Sequence, residues 1–156
     1  QVLFRLWMER GGSWPVIVFE VADVDAAVNG AMLAKMRNIG EACTAANRFL
    51  VHESVAAEFS EKFAARMGAL SVGDGTKDGI DVGPLVDQKA REGVDALVQE
   101  AVAGGARVVV GGGHAEGPGW FYQPPVLTPV PADARIAVER SRRGRRRLPL
   151  AARAVR

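Results

Sequence analysis

The chain carries one cysteine, Cys43, within Arg37-Asn-Ile-Gly-Glu-Ala-Cys-Thr-Ala-Ala-Asn-Arg48. A thiolate can attack a carbonyl carbon if the substrate reaches the sulfur and nearby donors hold the developing oxyanion. Gly40, Ala42, Thr44 and Ala45 are small enough to allow that approach. The plainer role for a lone cysteine is a small buried hydrophobe, which is its commoner fate. Glu9 is the second candidate, in Met8-Glu-Arg-Gly-Gly12. A carboxylate beside a glycine pair can project into a cleft and deprotonate water. More often such a residue is a solvated surface charge. His52 and His114 are the only histidines, and no spacing pairs them as metal ligands. Gly111-Gly-Gly113 lacks the further glycine, or the Lys-Ser/Thr pair, of a phosphate-cradling loop, so it reads as a turn. Asp74, Asp78 and Asp81 do not fit a calcium loop. Trp7, Trp14 and Trp120 do not interleave with arginine as base-stacking platforms do. A single cysteine excludes an internal disulfide and a Cys-rich zinc site, and it fits a reducing, cytoplasmic setting.

These candidates need elements to position them. Pro15 to Glu20 is a short apolar run after Gly11-Gly12 and reads as a buried strand. Asp23 and Asp25 precede alanine-rich helical spacing over roughly residues 24–37, closed by Asn38-Ile-Gly40. Residues 46–52 read as a second strand, which leaves Cys43 in a helix-to-strand loop. The ends of α/β elements are where open sheets place ligands. Ser54 opens a helix to about Leu70, with Val55, Phe59, Phe63 and Met67 on one face. Residues 71–86 are a Gly- and Asp-rich loop. Asp87 to Gly104 reads as a third helix, with Val94, Leu97, Val98 and Ala101 inward. Ala106 to Gly111 is a strand, and Tyr122 to Val130 is an extended segment broken by proline. Short apolar strands separated by helices predict an α/β fold on a parallel sheet.

The chain has 156 residues, about one domain, of which 48% are hydrophobic and 24% charged. No apolar run is long enough for a transmembrane helix, and the start does not read as a secretory signal. Gln1 is not an initiator Met, so the chain is expected to begin inside a longer reading frame. Residues 1–139 hold 12 Lys+Arg against 18 Asp+Glu, a net of −6. Residues 140–156 hold eight arginines and no acid, a net of +8. The basic isoelectric point thus belongs to the tail, and no domain-wide basic face for nucleic acid is expected. A tail so rich in like charge reads as disordered, and its abrupt change of composition fits a shifted reading frame or a truncation.

Taken together, these segments resemble the aldehyde dehydrogenase superfamily. Glu9-Arg-Gly-Gly-Ser-Trp-Pro15 is similar to its E-L-G-G-x-x-P motif. Asn38-Ile-Gly-Glu-Ala-Cys43, followed by Arg48, is similar to its N-x-G-[QE]-x-C-x-x-x-x-R motif, and the 34-residue interval from Glu9 to Cys43 matches. Ala22 to Ala27, Gly73-Asp-Gly75, Val82-Gly-Pro-Leu85 and Phe121 to Val126 are further collinear matches. The wording is nearest to that of NAD(P)-dependent succinate-semialdehyde dehydrogenases.

The resemblance implies that residues 1–139 are part of a catalytic domain, with Cys43 as nucleophile and Glu9 as base. The cysteine thiolate would add to the aldehyde, hydride would pass to NADP or NAD, and water activated by Glu9 would hydrolyse the thioester. The Cys43 N–H would supply part of the oxyanion hole. A small aldehyde is the implied substrate, with no nucleic acid or membrane partner, and intact members form homo-oligomers. Arg10 replaces the usual Leu, and Arg140-Ser-Arg replaces the E-x-F-G-P continuation. The cofactor-binding segment of the family precedes the position of Glu9. The alternative is therefore an inactive remnant that at most associates with intact subunits.

Overall fold

The computed structural model describes residues 14–115, 117–138 and 150–155, with backbone alone at 138 and 150–155. Strand β1 (Trp14–Val18) leads into helix α1 (Val24–Met36), a short 3₁₀ turn (Arg37–Gly40) and strand β2 (Ala46–His52). Helices α2 (Glu53–Gly68) and α3 (Gln88–Ala103) follow. Strands β3 (Val108–Val110) and β4 (Val126–Leu127), the short helix α4 (Arg135–Val138) and strand β5 (Leu150–Val155) complete the order.

The helix starts obey local chemistry. Asp23 accepts a hydrogen bond from the Ala26 N–H at 3.0 Å, and Asp87 accepts one from the Ala90 N–H at 2.7 Å. Each carboxylate satisfies a donor that the first turn leaves orphaned and sits where the helix dipole favours negative charge. Helix α2 is capped differently, by His52, whose Nδ1 accepts from the Ser54 N–H.

The five strands form one sheet in the order β1-β2-β5-β4-β3. Three pairings are parallel, as the alternation of strands and helices predicts. The edge strand β3 runs antiparallel to β4 because only a Gly-rich turn and a short extended stretch separate them, with no helix to carry a crossover. Gly111 makes that reversal possible. Its φ is +69°, and a Cβ there would lie 2.2 Å from the Pro124 carbonyl oxygen.

Helices α1 and α2 cover one sheet face. Phe49, Phe59 and Phe63 meet there with ring centroids 5.2–5.9 Å apart, alongside Val18, Val28, Val51 and Met67. Helix α3 and the 130–137 segment cover the other face beside Leu127. Neighbouring strand residues point to opposite faces, so Ile17 and its register partner Leu50 look away from α1 and α2. Ile17 is 55% exposed and Phe19 66% exposed. That exposure is unlike the two-sided burial usual for parallel strands.

The reading of 140–156 as a disordered tail does not hold at residues 150–155, which form the central strand β5. Composition averaged over the tail hides this, because six of the eight arginines fall in 140–147. The final stretch is mostly small, and its Leu150, Ala152 and Ala154 stand opposite Val126, Phe49 and Val51 in the ladder. Without it, β2 and β4 would each present an unpaired row of backbone groups, a strong template for any strand. Residues 140–149 lie outside the described residues.

Candidate active site

The site is built on the connection from α1 to β2. Helix α1 ends cleanly at Met36, where the Arg37 N–H donates to the Leu33 carbonyl. Asn38 (φ 52°, ψ 45°) and Ile39 (φ 47°, ψ 26°) then take left-handed conformations, and Gly40 follows at φ 81°. Left-handed backbone is routine for glycine and tolerable for asparagine, but unusual for a β-branched residue. The kink is closed by the Glu41 N–H donating to the Asn38 carbonyl at 2.8 Å and by the Asn38 amide donating to the Glu41 carbonyl at 3.4 Å.

Ala42 to Ala45 then form a β-turn, with the Ala45 N–H donating to the Ala42 carbonyl at 3.0 Å. Cys43 and Thr44 are its two central residues, and both are exposed. Cys43 is a free thiol. It is not the small buried hydrophobe that a lone cysteine often is. The turn's own bond uses the Ala45 amide, and the amides of Cys43 and Thr44 take no part in it.

The Trp14 N–H donates to the Ala45 carbonyl at 3.3 Å, and Trp14 pairs with Ala46. The amino end of β1 thus meets the amino end of β2 beside the cysteine turn. Open parallel sheets more often bind ligands at the carboxyl ends of their strands. Here the helix-to-strand connection, with its left-handed kink, supplies the loop. Glu9 precedes β1 by five positions and lies outside the described residues.

The remaining candidates play local roles. His52 caps α2, and its Nε2 lies 3.8 Å from the Glu20 carboxylate. His114 bridges to Tyr122 across an isolated β-pair, their ring centroids 5.8 Å apart. Asp74 accepts from the Thr76 amide and hydroxyl, which lowers its carboxyl pKa, and Asp81 accepts from the Ser71 N–H. Among the described residues no group of His, Cys, Asp and Glu could hold a metal ion. Trp120 does meet an arginine after all, with Arg91 stacked over its ring at 5.1 Å.

Two residues beside the site escape the sequence reading. Lys35 is wholly buried, and its ammonium donates to Asn47 Oδ1 at 2.7 Å. The signal was available, because Lys35 falls at helical spacing on the buried stripe of Val24, Val28 and Ala31.

The fold is α/β with an exposed cysteine turn, and comparison with known proteins gives its family. The aldehyde dehydrogenase family model matches residues 1–140, and the chain belongs to that family. It is 60% identical over 134 residues to the succinate-semialdehyde dehydrogenase of Paenarthrobacter nicotinovorans, covering 86% of this chain and 30% of that protein. It is 43% identical over 135 residues to the NADP(+) succinate-semialdehyde dehydrogenase of Escherichia coli K12, covering 86% of this chain and 28% of that one. The crystal structure of succinate-semialdehyde dehydrogenase from Burkholderia pseudomallei superposes with a TM-score of 0.81 at 41% identity, covering 93% of this chain and 30% of that one. The chain therefore spans less than a third of the length of the relatives it matches. Among the described residues no helix is long and apolar enough to cross a membrane.

Proposed function

We propose that this segment supplies the covalent chemistry of an NAD(P)-dependent aldehyde oxidation, with a semialdehyde such as succinate semialdehyde as substrate. Cys43 is the nucleophile. Its thiolate adds to the aldehyde carbon, and the Cys43 N–H holds the oxyanion that forms. Once the carbon reaches the acyl level, Glu9 takes a proton from water, the hydroxide adds to the thioester, and the thiolate leaves with the acid released. The observation that carries this reading is the exposure of Cys43 at the tip of a turn held by a left-handed kink. The relatives' names supply the substrate class and the NADP(+).

The described residues do not fit the cofactor itself. Gly111-Gly112-Gly113 follows β3, but the chain there pairs with Gln123 in a hairpin and does not open a helix. A dinucleotide's pyrophosphate needs such a helix N-terminus. Other elements of a complete family member must hold the nicotinamide. For this chain alone we infer no NAD(P)-dependent turnover, because positioning of the reactants carries about 7–11 kcal/mol of such a barrier.

A chimera tests the proposal. Residues 1–138 replace the matching segment of the Paenarthrobacter nicotinovorans relative, and NADPH or NADH formation from succinate semialdehyde is followed. Activity that is lost in both Cys43→Ala and Glu9→Gln supports the assignment. A chimera that stays active with Cys43→Ala refutes it.

A further inference from the structure

We propose that Lys35 and Asn47 form a buried clamp that positions Cys43 for reaction. The inference rests on the reading of Cys43 as nucleophile. Lys35 lies in the last turn of α1, and Asn47 is the second residue of β2. Everything between them is the connection that carries the cysteine. The 2.7 Å bond from the Lys35 ammonium to Asn47 Oδ1 joins the two ends of that connection across twelve positions.

Three observations favour a positioning role over packing alone. Lys35 is the one charged or polar side chain among the described residues that is fully buried, at 0% exposure. It occupies the apolar stripe of α1, where Leu or Met would pack without the cost of desolvating an ammonium. A buried ion-dipole contact that an apolar residue could replace is a candidate device for fixing geometry. The connection itself holds two consecutive non-glycine residues in left-handed backbone, Asn38 and Ile39. Such backbone persists only where the surroundings over-determine it, and it clusters at functional sites. The hydrogen bonds inside the loop, Glu41 to Asn38 and Ala45 to Ala42, close small rings but do not bind its two ends. The Lys35–Asn47 bond does. Lys35 and Asn47 are thus positioning residues acting through the backbone on the cysteine turn.

The test uses the full chain. Two properties are measured in Lys35→Met, in the paired Lys35→Met/Asn47→Leu variant, which removes both ends of the bond, and in Asn47→Asp, which keeps an acceptor. The first is the rate of Cys43 alkylation by iodoacetamide, with glutathione as reference. The second is amide hydrogen exchange at Glu41 and Ala45 against Phe59 and Phe63 in the core. A clamp predicts that the methionine variants speed loop exchange at least tenfold more than core exchange. It also predicts that their alkylation rate moves at least threefold toward that of glutathione. Asn47→Asp should stay within twofold of the parent on both. Exchange that rises by one common factor everywhere, with alkylation unchanged, shows a merely structural contact and overturns the clamp alone. A parent Cys43 that already reacts like glutathione overturns the nucleophile reading, and the clamp with it. Should the methionine variants not fold, Asn47→Ser carries the same comparison, since its shorter side chain cannot reach the ammonium.

Discussion

Replacing Ile39 reverses a familiar order of stability. In ordinary helical or extended backbone, Gly is less stable than Ala by about 0.5–1 kcal/mol, because it loses more freedom on folding. Ile39 sits at φ 47°, ψ 26°. An L-residue pays about 1–2 kcal/mol in that region and Gly almost nothing. The strain relieved exceeds the added entropy, so Ile39→Gly should exceed Ile39→Ala by about 0.5–1 kcal/mol. Both variants lose the same half-buried side-chain atoms beyond Cβ, so most of that loss cancels in the comparison. For a chain of this size the difference is roughly 1–4 °C in melting temperature. Urea unfolding of the two variants, with equal slopes, reads the difference directly. Ile39→Ala melting above Ile39→Gly would mean that the left-handed kink is not populated in solution. The account of how the cysteine turn is held would then fail.

Gly111→Ala should cost about 3 kcal/mol, the upper end for an overpacked core site, because its Cβ would meet the Pro124 oxygen at 2.2 Å. Gly105→Ala, also at positive φ but with open space around it, should cost only about 1–2 kcal/mol. Chemical denaturation of the pair separates collision from strain. Burial, and then the negative charge of Asp95, raise the Tyr122 pKa above its ordinary value of 10.0. The stability this phenol contributes is complete below about pH 10 and is lost as pH rises through the folded-state pKa. Tyr122→Phe should therefore flatten the alkaline fall in melting temperature, and an unchanged alkaline limb would contradict it. Deleting residues 150–156 should abolish cooperative unfolding, because β5 is the central strand. A truncated chain that melts as sharply as the parent would show that β5 is dispensable.

Much of the fold was legible because the local signals agree with one another. Asp23 and Asp87 mark helix starts that the structure places one residue later. Phe59, Phe63 and Met67 share the buried face that their spacing predicts. The apolar run after Gly12 and the one at 46–52 are strands. What failed was long-range or compositional. The antiparallel β3 depends on which neighbour closes the sheet edge, and nothing within Val108–Val110 encodes that. Strand β5 was masked by the arginines preceding it. For the site, the loop around Cys43 and the motif words in it were readable, since small residues and a lone thiol are local features. The burial of Lys35 was harder to see, because lysine on an apolar stripe is usually a side chain that reaches past it to water. Its partner Asn47 lies on another element, and only the tertiary fold brings the two together.

The most direct test of the central claim needs no cofactor. Cys43 as nucleophile should accept the acetyl group of p-nitrophenyl acetate with nitrophenolate leaving, and Glu9 as base should then hydrolyse the thioester, since acyl transfer from an activated ester requires no hydride acceptor. The native chain is mixed with the ester, released nitrophenol is followed, and the acylated residue is located by mass spectrometry. The account predicts a burst of about one nitrophenol per chain, with the acetyl group on Cys43. It also predicts that the burst disappears in Cys43→Ala, and that in Glu9→Gln it persists while the acetyl adduct accumulates. No burst from a folded chain, or acetylation spread over lysines and unaffected by Cys43→Ala, would contradict it.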